Sequence, residues 1–271
     1  MTDTWRILIT PPARGAWNMA VDEAILETAG RGQSLPTLRL YDWAPACLSL
    51  GYAQSYHDVD VALLKAHGWD VVRRATGGRA ILHVDELTYS ITAPADEPRV
   101  AGSVLESYYR LAGALIIAVR ALGLPVEMEE NTVPASTAKG PVCFEVPSAY
   151  EIVVAGKKLI GSAQARKREG VLQHGTFPLY GDLTRITEAL VFPDEQQRSA
   201  AAQKLLARAV TAESVLGRRI PWDAAARAFA SAFESQLGLQ LQLAELTSAE
   251  LARAEELVKI KYDHPGWTER S

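Results

Sequence analysis

Apolar and polar positions alternate with a period of two over several short stretches, the pattern of strands with two unlike faces. Leu87, Tyr89 and Ile91 alternate over residues 86–93. Tyr150, Ile152 and Val154 alternate up to Gly156, where the chain can reverse into a second strand through Leu159 and Ala163. Further strands are predicted over residues 5–10, 37–41, 46–52, 69–74 and 171–179. A helical period appears at Val104, Tyr108, Leu111, Leu115, Val119 and Leu122, opened by a Ser103–Glu106 capping box and closed by Gly123. Asn18 is the expected cap of a helix running to residue 29, with Asp22 and Glu23 in its first turns, and residues 59–66 read as another. Residues 127–140 have loop composition. After residue 180 helices dominate, over 183–190, 199–210 and 223–237. A last one, from the Thr247–Glu250 capping box to Tyr262, follows a short strand at 239–243.

These elements predict an α/β protein, with residues 1–180 as the core and 181–271 as a mainly helical part of the same domain. At 271 residues and 48% hydrophobic content the chain can fill a substantial core. A net charge of −4 points away from nucleic acid or an anionic membrane as the main partner. Two cysteines, Cys47 and Cys143, make no disulfide framework and suit a reducing compartment. No apolar run reaches the length of a membrane span and the first residues lack a signal-peptide pattern, so a cytoplasmic location is expected.

Two stretches carry candidate chemistry. Cys143 precedes the 150–163 hairpin, which carries Lys158. A thiolate is the nucleophilic form of cysteine, and a nearby ammonium favours it while apolar burial opposes it. If the fold brings the two together, Cys143 can accept an acyl group; taken alone, a cysteine is more often a small buried hydrophobe. The second stretch runs from Arg73 and Arg74 through Gly77, Gly78 and Arg79 to His83. Its glycines let the backbone approach a ligand, and successive N–H groups there can surround a carbonyl oxygen or a phosphate. The loop is expected between two strands of one sheet, 69–74 and 86–93. It has neither the P-loop nor the dinucleotide spacing. His174 falls in a strand with no metal-ligand spacing around it.

Taken in order, Arg73-Arg74-Ala-Thr-Gly77-Gly78-Arg79-Ala-Ile-Leu-His83, Pro141-Val-Cys143-Phe-Glu, Gly156-Lys-Lys158-Leu-Ile-Gly161-Ser162-Ala163-Gln164 and Gln173-His174-Gly175 resemble the lipoate/octanoate branch of the biotin/lipoate protein ligase superfamily. Within it the pattern is most similar to the cysteine-dependent octanoyltransferases of lipoate biosynthesis. The resemblance implies a mixed, largely antiparallel sheet with a smaller second sheet, outer helices and a helical C-terminal segment. It implies ping-pong transfer of an octanoyl group from acyl carrier protein to a lysine of a lipoyl domain such as the glycine cleavage H protein, without cofactor or metal. Cys143 would be the nucleophile, and Lys158 the lysine that lowers its pKa. Arg73, Gly77, Gly78, Arg79, His83, Gly161, Ser162, Ala163 and His174 would contact substrate, and Arg166, Lys167 and Arg168 are candidates for docking an acidic carrier. Arg79 departs from the ligase pattern, which has a third glycine there. An ATP-dependent lipoate–protein ligase, an octanoyl amidotransferase and a non-catalytic carrier-binding subunit are the competing readings.

Overall fold

The computed structural model describes residues 3–130 and 150–270. Eight strands form the main sheet: β1 (Thr4–Ile9), β2 (Thr37–Tyr41), β6 (Glu86–Ala93), β7 (Glu127–Glu130), β8 (Tyr150–Val154), β9 (Lys157–Lys167), β10 (Gly170–Pro178) and β11 (Gln240–Leu243). Their order is β11-β1-β2-β6-β10-β9-β8-β7, parallel where β1 meets β11 and β2 and antiparallel elsewhere. A second sheet holds β3 (Cys47–Leu50), β4 (Asp70–Arg73) and β5 (Ile81–His83) in the order β4-β3-β5. The fold is thus mixed α/β, with a large sheet, a small one and helices outside them.

The period-2 pattern gives the main sheet two unlike faces, both buried. Trp5, Ile7, Leu38, Leu40, Leu87, Tyr89, Ile91, Val171 and Phe177 form one apolar face. On it pack α3 (Val104–Ala121) and α6 (Trp222–Leu237), through Leu111, Leu115, Phe229 and Phe233 among others. The intervening residues, Arg39, Glu86, Thr88, Ser90, His174 and Thr176, are equally buried on the opposite face. That face is covered by α1 (Gly15–Gly30) and by the small sheet, beside which lie α2 (Val61–His67) and α4 (Glu195–Arg208). The chain continues through α5 (Ala212–Leu216), α7 (Ser248–Leu257), a π-helical turn at Val258–Tyr262 and α8 (Pro265–Thr268).

Local chemistry sets the ends. Ser103 Oγ accepts from the Glu106 N–H at 3.2 Å while the Glu106 carboxylate accepts from the Ser103 N–H at 2.7 Å, closing the expected capping box. The Thr247–Glu250 box forms as well.

Five expectations need correction. Asn18 is not a cap: α1 starts at Gly15, whose N–H donates to Asp70 at 3.1 Å, and the Asn18 amide is turned inward onto Ala13 O and Asp42 O. α4 starts at Glu195 because Asp194 accepts from the Gln197 N–H at 2.7 Å. Leu183–Glu188 is a 3-10 segment rather than an α-helix. Residues 127–130 are a strand, since Met128 pairs with Ile152 and packs on the core despite its glutamate neighbours. Strands 70–73 and 86–93 belong to different sheets. β4 and β5 both flank β3, and the chain crosses to the main sheet at Asp85, in the left-handed region with φ 57°.

Candidate functional site

On the polar face the strand register lines up two rows. Tyr41, Thr88, Thr176 and Gly161 form one; Arg39, Ser90, His174 and Ala163 form the next. Between these rows, α1 and the small sheet lies a slot with ≈ 40 Å³ of free space, lined by Met19, Trp43, Gly78, Ile81, His83, Thr88, His174 and the Gly161–Ser162–Ala163 segment, among others, with no Asp or Glu among the described residues that line it. The slot runs across the strands, from β9 at one end to Tyr41 and Trp43 at the other. Three strand spacings separate those ends, about 14 Å.

The walls are fixed by two hydrogen-bond networks. In the first, Asp22 of α1 takes a hydrogen bond from Arg39 at 2.8 Å, from the Tyr41 hydroxyl at 3.0 Å and from Ser90 at 2.8 Å. His174 Nδ1 lies 3.7 Å from the same carboxylate, and its Nε2 meets Thr76 Oγ1 at 2.6 Å. Burial pushes the Asp22 carboxyl up, but Arg39 and His174 together outweigh it and hold the pKa below the ordinary value. His174 is shifted down by burial, helped by Arg74 and His83 and opposed by Asp22. A neutral imidazole with Nδ1–H toward Asp22 leaves Nε2 to accept from the Thr76 hydroxyl. The glycine loop is thereby tied to β10 and α1.

In the second network His83 Nδ1 meets Glu86 and Nε2 meets Ser49, both at 2.7 Å, and the ring stacks on Trp43 with centroids 4.0 Å apart. The Trp43 N–H donates to Thr88 at 2.8 Å, and Thr176 donates to Glu86. Glu86 is 3% exposed, so each of these partners is needed to hold a carboxylate away from water.

The two arginines before the loop do different things. Arg74 donates to Ser49, to Gly77 O at 2.9 Å and to Arg79 O at 2.7 Å, drawing the loop carbonyls inward. Arg73 does not reach the slot. Its guanidinium donates to the carbonyls of Gly51 and Gln54 on one side and of Trp267, Thr268 and Arg270 on the other, fastening the C-terminal segment to the small sheet. Gly77 is exposed at the mouth and Arg79 is half-buried. Gly78 has φ +93°, and Gly51 is needed opposite it, because a Cβ there would sit 1.9 Å from Gly78 O.

Of the expected site residues, Gly78, His83, Gly161, Ser162, Ala163 and His174 come together around the slot. Gly77 and Arg79 border it through the loop, and Lys158 lies three residues before Gly161 on β9. Lys158 donates to Glu151 at 2.9 Å, and its side chain is 5% exposed. Cys143 lies outside the described residues. Of the candidate docking cations, Arg166 donates to Val100 O and Ser107 Oγ and Lys167 pairs with Glu23 at 3.0 Å; the Arg168 side chain is 96% exposed. Asp22, Trp43, Thr76, Glu86, Thr88 and Thr176 were not anticipated. A Glu-x-Thr-x-Ser-x-Thr alternation normally marks a solvated strand face, and only the cover of α1 and the small sheet reveals it as interior. Among the described residues no group of three or more His, Cys, Asp or Glu side chains gathers to hold a metal ion, and no helix is long and apolar enough to cross a membrane.

This fold, with a slot between a buried polar sheet face and a glycine loop, is that of an established enzyme family. The lipoyl protein ligase A/B catalytic domain model matches residues 14–234, and the chain belongs to that family. Among its relatives, octanoyltransferase LipM of Brevibacillus brevis is 39% identical over 274 residues, covering 99% of each chain. Octanoyltransferase LipM of Kyrpidia tusciae is 40% identical over 272 residues, covering 98% of this chain and 99% of that one. Among solved structures, a chain of the bi-partite lipoate protein ligase system of Thermoplasma acidophilum superposes with TM-score 0.80 at 24% identity, covering 98% of this chain and 96% of its own. Lipoate-protein ligase A bound with ATP gives 0.78 at 23%, covering 98% of both. At those identities the structures share the fold.

Proposed function

We propose that the chain is an acyltransferase of lipoate biosynthesis that moves an octanoyl group from acyl carrier protein to a lysine of a lipoyl domain, such as the glycine cleavage H protein, through a thioester on Cys143. The observation that carries this reading is identity near 40% to octanoyltransferases along almost the whole chain. The slot supports it: its lining among the described residues holds no carboxylate, which suits a neutral acyl chain, and each buried CH₂ contributes about 0.8 kcal/mol. Its free space of ≈ 40 Å³ holds about three waters. An eight-carbon chain therefore enters as side chains swing aside, and the unbranched Met19 is the most adaptable of them.

In this mechanism the Cys143 thiolate attacks the carrier thioester and expels the carrier thiolate, which takes a proton from water. The acceptor amine then attacks the enzyme thioester, loses a proton and frees the thiolate. Lys158 supplies the positive charge that favours the thiolate. Backbone N–H groups of residues 77–78 and 161–162 are the proposed donors to the oxyanion. Thr76 and His174 hold the first of these segments in place, and Arg74 engages the carbonyls of Gly77 and Arg79.

The test is intact-protein mass after mixing with octanoyl acyl carrier protein in the absence of ATP. A hydroxylamine-labile octanoyl adduct on the wild type and none on Cys143→Ala is the expected result. Acylation of a lipoyl domain only with ATP and free acid would instead make the chain a ligase.

A further inference from the structure

Strand alternation alone would put Lys158 on the same face as Ile160 and Ser162. The register forbids it. Ile152 pairs with Ile160 but Val153 pairs with Lys158, so Leu159 is an extra residue and β9 bulges there. Leu159 and Ile160 both enter the apolar core with Ile152 and Val154, whereas Lys158 is rotated to the face of its partner Val153, which is also the face of Glu151. There its ammonium donates to Glu151 Oε1 at 2.9 Å, with the two side chains 5% and 13% exposed.

Glu151 occupies a costly position. It stands directly opposite Glu129 on β7, and like charges across a strand pair are destabilising. A buried ammonium in turn needs a counter-charge. Each offsets part of the other's cost.

We infer that Glu151 is a positioning residue: together with the bulge at Leu159 it aims and holds the Lys158 ammonium for the acylation step. This rests on the transferase reading for its chemical consequence, though not for its geometry. The carboxylate acts through the ammonium it accepts from, and so fixes where the cation sits.

The experiment is a double-mutant cycle on single-turnover acylation by octanoyl acyl carrier protein, with Glu151→Gln, Lys158→Ala and the pair. Glu151→Gln keeps the volume and an acceptor oxygen for the ammonium while dropping the charge, and its urea midpoint is measured alongside so that rates are compared on folded protein. Its acylation rate is expected to fall about tenfold with donor affinity unchanged, and the same substitution on the Lys158→Ala background is expected to cost nothing further. A merely structural role would repeat the loss on both backgrounds, which overturns the inference, as does Glu151→Gln at the wild-type rate. A second readout needs no turnover: limited acetylation of the folded protein with acetic anhydride, read by peptide mass, should modify Lys158 several-fold faster in Glu151→Gln. Unchanged labelling overturns the inference. Faster labelling in a protein whose wild type forms no thioester sinks the transferase reading alone.

Discussion

The two faces of the eight-stranded sheet are buried alike and built on opposite principles. On the α3/α6 side Leu87, Tyr89, Ile91 and Phe177 meet Phe229 and Phe233, with the Phe177 and Phe229 rings stacked at 5.6 Å. Stability there comes from apolar area and close packing, spread over many contacts, so one lost methylene is a local matter. On the α1 side Arg39, Asp22, His83, Glu86, Ser90 and His174 are just as dry. Every one of these groups would be expensive alone, and each is tolerated because its neighbours complete its hydrogen bonds. The first face holds the protein together. The second holds the walls of a slot through hydrogen bonds, and substitutions should reveal the difference.

The largest effect is expected at Asp22. Asp22→Ala strands the Arg39 guanidinium, 1% exposed, and also removes the acceptor of Tyr41 and Ser90. Breaking a buried pair by removing one partner costs about 3–5 kcal/mol, read as a shift of the urea midpoint at pH 7.

Next comes a contrast within one strand. Thr88→Val keeps shape but deletes the hydroxyl that accepts the Trp43 N–H at 2.8 Å and donates to Glu86. Leaving buried donors and acceptors unmatched costs about 1–3 kcal/mol, and acyl transfer should fall with it because Trp43 closes the slot. Ile91→Val, three residues along on the apolar face, should cost about 0.5–1.5 kcal/mol and leave transfer unchanged. Equal losses of activity in the two variants would erase the distinction between the faces.

How much of this was legible beforehand follows from the same contrast. Apolar alternation and capping boxes are local signals, and β6, α3 and α7 could be read from them. The glycine loop, His83 and His174 were recognisable as motif residues. Arg73 stood in the same motif, yet it serves the C-terminal segment, a contact 194 residues away in sequence. Glu86, Thr88 and Thr176 carried no sign of their burial, since nothing local tells a polar strand face that meets water from one covered by a second sheet. The bulge that turns Lys158 leaves no mark in the alternation either, because Leu159 and Ile160 are both apolar.

The smallest effect is the most diagnostic of how the polar face is tuned. Burial shifts the His174 pKa downward, Arg74 and His83 add to the shift, and Asp22 opposes it without reversing it. An unfolded histidine titrates near 6.5. As pH falls below that value the unfolded chain takes up the proton first, so stability is fully present above pH 6.5 and declines toward the depressed folded pKa. The slope cannot exceed about 1.4 kcal/mol per pH unit for one proton, which caps the loss between pH 7 and 5.5 at roughly 1 kcal/mol. Asp22, Glu23 and Glu250 are held below ordinary values of 3.8, 4.5 and 4.5, so their contributions are lost only at more acid pH and leave this window clean. In His174→Gln the amide has nothing to titrate, and the decline between pH 7 and 5.5 in urea melts should shrink, by at most that amount. An undiminished decline in the variant would mean that folding does not depress the His174 pKa, and the view that burial disfavours its protonated form would have to be abandoned.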